Sequence, residues 1–258
     1  MKLLNLENAK NEFIQYADSY DLKNDHMNRK KYHSIRVMEI SDKLAKEENF
    51  TEEEIEIATV IGILHDIARF KQYTEYQTFK DQNSFDHGDV AIEILEKDNY
   101  LRKYIKTDKY DEIIKVAIKN HNKFEIEKGL TEEQNKFCKL IRDADKIDIL
   151  FQATGLMWRE ETEAMENSKI DIEMKKEFDQ QKLFIRSKFP KVDYANKILA
   201  FLGFIFDINY ISSLKIIKEK KYVEQIINRY KFKDAYTQKA IIDAGEKVNQ
   251  FIINKMEQ

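Results

Sequence analysis

At 258 residues the chain is slightly longer than a usual single domain, so one large domain or a core with a helical appendage is expected, and it needs no disulfide or metal merely to fold. Six glycines and one proline fall far below average usage, which argues for long helices with short polar links and against sandwiches, barrels and Gly-rich nucleotide loops. Lys and Arg number 44 against 47 acidic residues, a net charge of −3; that balance argues against a dedicated nucleic-acid binder.

The hydrophobic content of 42% is enough for a core despite the dense charge. The single cysteine, Cys138, excludes an internal disulfide and a thiolate metal cluster and fits a reducing compartment. The opening MKLLNLENAKNEF has no continuous apolar run of the secretory kind. The longest apolar stretch, Ile198 to Phe206, is about half of what a bilayer crossing requires. A cytoplasmic location is expected.

In chain order, His33, Val37, Ile40 and Leu44 recur with helical spacing. Asn49-Phe50-Thr51 interrupts that helix, and Thr51 with Glu54 forms a capping box for the next. The new helix carries Ile55, Ala58, Ile61 and Leu64 on one face and reaches His65-Asp66 near its end. Residues 71–84 are polar and aromatic without a sustained period, and are read as a loop. Ser84 is expected to cap a helix whose inner face is Val90, Ala91, Ile94 and Leu95. Ile113, Ala117 and His121 share a face further on. A second capping box, Thr131 with Gln134, opens a helix bearing Phe137, Ile141, Ala144, Asp145 and Asp148. Beyond about residue 155 the pattern stays helical, punctuated by Pro190. The expected class is all-α.

Five histidines all lie in the first half: His26, His33, His65, His87 and His121. A single histidine on an apolar helical face is more often a hydrogen-bonded core residue than a ligand. The ordered set His33, His65-Asp66, His87, His121, Asp145 is harder to dismiss. Imidazoles and carboxylates suit borderline divalent metals. A buried carboxylate is costly unless paired, protonated or metal-bound, and Asp66 and Asp145 both fall on otherwise apolar faces.

The stretches KYHSIRV, IGILHDIARF, FDHGDVA, IKNHNK and IRDADKID carry the pattern H…HD…H…H…D. In this the chain resembles the HD-domain superfamily of metal-dependent phosphohydrolases in its binuclear form, over about residues 28–150. The resemblance implies an HD-domain helical core with metal-binding residues at 26–150; an N-terminal helical segment at 1–25 and additional C-terminal helices at 151–258, packed on the core as an extension, are expected from the helical pattern on either side. It also implies that His33, His65 and Asp145 hold one metal, that His87 and His121 hold a second, and that Asp66 bridges the two. The expected cofactors are two divalent ions, Fe or Mn first, with Mg, Zn, Ni or Co compatible. A hydroxide between them would attack phosphorus in line. The extended GYP signature of cyclic-di-GMP phosphodiesterases is missing from the sequence.

Around this set, Arg69 lies one turn after Asp66, where a guanidinium would neutralise charge on phosphoryl oxygens, or simply favour a helix end. Lys146 is placed to approach a phosphate or to be solvated, and Arg36 and Lys123 are weaker versions of the same idea. Asp148 would either orient a ligand imidazole or make a polar contact between helices. Tyr73, Tyr76 and Phe79 would wall or cover the site, or pack down as a loop anchor. His26 fits no ligand position. Trp158 is expected in the core, and Phe201, Phe204, Phe206 and Tyr210 complete the core with scope for a homodimer.

The expected activity is therefore hydrolysis of a small phosphate mono- or diester, with a nucleotide among the candidates, without nucleic-acid or membrane partners. Two alternatives share the ligand set: a mixed-valent di-iron oxygenase, and a nucleotide-sensing module without turnover. The latter is opposed by every ligand position being filled.

Overall fold

The helical periods of the sequence become helices throughout, and no strand occurs among the described residues. The computed structural model of the chain describes residues 6–21, 23–155, 163–184, 188–189 and 192–258. Trp158 and Pro190 lie outside them. The all-α expectation holds. No described helix is long and apolar enough to cross a membrane.

Two units divide the chain, Met1–Asp145 and Lys146–Gln258. The first contains α1 (Leu6–Asp18), α2 (Asp25–Glu47), α3 (Glu52–Leu64), α4 (Ala68–Tyr76), α5 (His87–Glu96) and α6 (Asp111–Asn120), and ends within α7 (Glu132–Ala153). Local chemistry sets several boundaries. Asn49 takes φ 55°, the left-handed turn that stops α2. The Thr51–Glu54 box then opens α3, with Glu54 N–H donating to Thr51 Oγ1 at 3.3 Å and Thr51 N–H donating to Glu54 Oε2 at 2.7 Å. Thr131 and Gln134 repeat the exchange at 3.0 and 3.1 Å for α7.

The core of this unit is the crossing of α2 with α3. Val37, Leu44, Ile57, Ile61 and Leu64 are fully buried there, and each such side chain stabilises by about 1.5–3 kcal/mol. Gly62 permits the close approach: a Cβ on it would stand 2.7 Å from Ser41 Oγ and 2.9 Å from Met38 Cα. Behind the crossing, Phe13 of α1 meets Phe70 edge-on at 5.9 Å, and the Tyr16 hydroxyl donates to the Ile67 carbonyl at 3.3 Å.

Two readings of the sequence are corrected here. Residues 71–76 belong to α4 rather than to a loop. Phe70 and Gln72 bury one side of this helix, and Gln77, in the left-handed conformation, ends it. The cap of α5 is Asp86, not Ser84: its carboxylate accepts the backbone N–H groups of Gly88 at 3.0 Å and Asp89 at 3.3 Å. Ser84 instead follows a short 3₁₀ turn, Asp81–Asn83.

In the second unit, the remainder of α7 is followed by α8 (Glu163–Glu166), α9 (Ile172–Phe178), α10 (Tyr194–Gly203), α11 (Ile211–Glu219), α12 (Tyr222–Arg229) and α13 (Ala235–Met256). Ala240, Ile241, Ala244, Val248 and Ile252 form the buried stripe of α13. Phe206 packs against Phe178 and Phe251, each at 5.1 Å. Phe201, Phe204 and Tyr210 are half-buried. Asp148 accepts the Gln152 amide at 2.7 Å.

Candidate metal centre

Of the six singled-out residues, only His33 and Asp145 sit within the body of a helix. His33 lies on the buried face of α2, and Asp145 on α7. His65 caps the C-terminus of α3 and Asp66 occupies the tight turn into α4. His87 is the first residue of α5, and His121 caps the C-terminus of α6. Close packing brings the ends together: a Cβ on Gly88 would stand 2.6 Å from Asn122 Oδ1 and 3.0 Å from the Lys119 carbonyl. Arg142, buried, holds α7 against the end of α6 by donating to the backbone carbonyls of Asn120 and Phe124 at 3.3 and 3.2 Å. Asp145 follows three residues later.

The structure gathers all six in the first unit, in two groups. His33 Nε2 and His65 Nε2 lie 3.2 Å apart. They stand 3.3 and 3.6 Å from Asp66 Oδ2, and 3.2 and 3.8 Å from Asp145 Oδ1. His87 Nε2 and His121 Nε2 lie 3.0 Å apart, at 3.3 and 3.7 Å from the other oxygen of Asp66, Oδ1. One carboxylate thus turns each oxygen to a different histidine pair. All but Asp145 are buried; Asp145 keeps 20% of its side chain exposed.

The ring hydrogens make these spacings informative. The carbonyls of Gly62 and Ile118, which can only accept, lie 2.7 and 2.6 Å from the Nδ1 atoms of His65 and His121. Asp81 Oδ2 lies 2.7 Å from Nδ1 of His87. Each Nδ1 therefore carries the proton, and each neutral ring presents a bare Nε2 lone pair. Two such lone pairs 3.0 Å apart repel unless a cation lies between them. Donor atoms about 2.1 Å from a shared ion stand roughly 3.0–3.4 Å from one another, close to the spacings found. The residues fit a pair of divalent ions, one in each group.

Burial pushes the His65 imidazole down to about 4; burial, with the Arg69 guanidinium next, pushes His87 down to about 3. Both rings are neutral at pH 7, as ligation requires. Burial opposes ionisation of Asp66, yet the Lys30 ammonium foremost, and the Arg69 guanidinium, hold its carboxyl well below the usual range. Asp145 and Asp81 are likewise held low against burial, chiefly by the hydrogen bonds of His33 and His87.

The surroundings were less legible. Lys30, unremarked in the sequence, places Nζ 2.6 Å from Asp66 Oδ2. Its position three residues before His33 on α2, hence on the same face, was the available signal. Arg69 does lie beside Asp66, with Nε 3.2 Å from Oδ1, while its Nη1 donates to Gln72 Oε1, the Phe79 carbonyl and Asp81 Oδ1 at 2.7–2.9 Å. Lys146 is buried rather than solvated and pairs with Asp207 at 2.6 Å. Lys123 pairs with Asp86 at 2.6 Å, and Arg36 is half-buried on α2.

The Tyr73 and Phe79 rings pack at 4.8 Å, with Lys30 Nζ 5.6 Å from the Phe79 centroid. Tyr76 is exposed and meets Phe85 edge-on. His26 is exposed, accepts from Arg29 and lies against Tyr73 at 5.4 Å. A further set of Asp81, Asp86 and His87 gathers around the other nitrogen of His87. Its oxygens already accept from Arg69, Asn122 and Lys123, so it reads as support for the ring.

The first unit is thus all-α among its described residues, with a buried centre of imidazoles around one shared aspartate whose groups could hold metal. The family model described as HD domain matches residues 31–150, a span that contains all six residues, so an HD domain occupies this part of the chain. Proteins with this domain are typically metal-dependent hydrolases. No curated protein and no solved structure matches the chain significantly.

Proposed function

We propose that the protein is a binuclear metal-dependent phosphohydrolase acting on a small phosphate mono- or diester, with nucleotides among the candidate substrates. The observation that carries this reading is Asp66: its two oxygens face two separate histidine pairs, and cations flank both. His33, His65 and Asp145 would hold one ion, His87 and His121 the other, and Asp66 would bridge them. Iron or manganese suits this mixture of imidazole and carboxylate. When bound, such a pair supplies Lewis acidity toward phosphoryl oxygens and ionises water near neutral pH.

The chain's own residues supply the rest. The low-lying His65 and His87 keep their Nε2 lone pairs free of protons. Lys30 and Arg69 place positive charge beside the bridging carboxylate, which favours an anionic substrate over a neutral one. Arg69, committed through Nε and Nη1 to four protein acceptors, acts by fixing Asp66 and neutralising local charge. Half-buried Phe79 borders Lys30 and Arg69, and with Tyr73 packed against it would wall the substrate.

The test is elemental analysis of protein prepared without chelator, followed by a screen of phosphorylated metabolites for phosphate release with manganese and iron. About two ions per chain and release from a phosphate ester are expected. Oxygen consumption by the anaerobically iron-loaded protein, with no phosphate released from any ester, would replace this reading with the di-iron oxygenase.

A further inference from the structure

We propose that Asp81 is a positioning residue that, through His87, sets how tightly the second of the two ions is held, separately from the first. This inference rests on the two-ion reading given above.

The anchors of the histidines differ in kind. His65 and His121 donate from Nδ1 to carbonyls three residues back in the chain, Gly62 and Ile118. Those acceptors come with the helix that carries the ring. His87 opens its helix, so no preceding turn offers it a carbonyl. Its Nδ1 donates instead to a side chain, Asp81 Oδ2 at 2.7 Å, delivered by the 3₁₀ turn six residues upstream.

Asp81 is itself held from several sides. Its Oδ1 accepts Arg69 Nη1 and Gln72 Nε2, both at 2.9 Å, and Oδ2 also accepts Asn122 Nδ2 at 3.1 Å. Gln72 is fully buried and donates besides to Ser84 Oγ at 2.8 Å and the Phe85 carbonyl at 3.1 Å. The polar segment after α4 is thereby tied down so that it presents one carboxylate to one ring. A carboxylate behind a ligating imidazole fixes the tautomer, orients the ring and raises its basicity, and losing such a partner typically weakens metal binding about 10–100-fold. Only His87 has this partner among the rings whose Nδ1 bonds are described above, so the effect falls on the ion shared with His121.

The experiment is a titration of the full-length, metal-stripped protein and its Asp81→Asn variant with manganese, free ion being followed by electron paramagnetic resonance. The wild type is expected to take up two ions. Asp81→Asn is expected to keep one with wild-type affinity and to bind the other about 10–100-fold more weakly. Wild-type affinity for both ions in the variant, or equal weakening of both, overturns the proposal while leaving the two-ion reading intact. Fewer than two ions on the wild type overturns that reading and this inference with it. If Asp81→Asn does not fold, nitrogen-15 NMR of the zinc-loaded wild type decides the matter, with His87 assigned by its loss in His87→Gln. A protonated Nδ1 is expected, and a protonated Nε2 overturns the proposal.

Discussion

The two halves of the centre are built differently. The first draws His33 from α2 and His65 from the end of α3, helices that cross through the core at Gly62, and adds Asp145 from the 22-residue α7. The second draws His87 and His121 from facing ends of two ten-residue helices, α5 and α6, and steadies one ring with a side chain from an irregular turn. The first half takes its rigidity from packed apolar faces, whereas the second depends on hydrogen bonds among Arg69, Gln72, Asp81, Asp86 and Asn122.

The largest disruption of that contrast comes from the residue both halves share. Asp66→Ala should abolish both ion binding and phosphate release while leaving the helical circular-dichroism signal largely intact. Unchanged activity would end the assignment of the site. Removing one ring at a time separates the halves: His33→Ala should vacate the first ion position and His87→Ala the second, each leaving about one ion per chain by elemental analysis. Loss of both ions from either variant would mean that the halves do not fill independently.

Acid probes both halves at once in the metal-free protein. Between pH 6.5, the ordinary histidine value, and about 4 the unfolded chain carries a proton on His65 that the folded chain does not. Stability therefore rises with pH across that window and is lost on acidification, by an amount on the order of 3 kcal/mol for His65. His87 extends the loss toward about pH 3. Thermal melts across this range check the slope, and added manganese should steepen it because ions bind only the folded, neutral rings. The smallest effect belongs to His26→Ala: this exposed ring should change neither ion content nor activity measurably.

Legibility in the sequence followed the same division. The α2 and α3 faces and both capping boxes could be read from spacing alone, because helical periodicity and cap chemistry are local; the ordered histidines and aspartates were legible through their resemblance to the HD pattern. The segment at 71–84 could not. Phe70 and Gln72 are buried by partners elsewhere in the unit, which extends α4 through a stretch with no period of its own. Asp81 lay in that stretch as one polar residue among many. Lys30 shared a face with His33, but its approach to Asp66 spans 36 positions and depends on how α2 crosses the α3–α4 turn. Arg69 was singled out for its proximity to Asp66, and its bonds to Phe79 and Asp81 became apparent only in the folded unit.

Read without coordinates, the residues already specified an all-helical chain and a set of imidazoles and carboxylates in a telling order. They did so because helix formation, capping and donor chemistry are properties of neighbouring residues. Tertiary structure alone decided that Asp66 would turn one oxygen to each histidine pair, that Lys30 would reach it, and that Asp81 would stand behind His87. Those are relations between side chains distant in sequence, and directional hydrogen bonds and close packing settle them only once the backbone has folded.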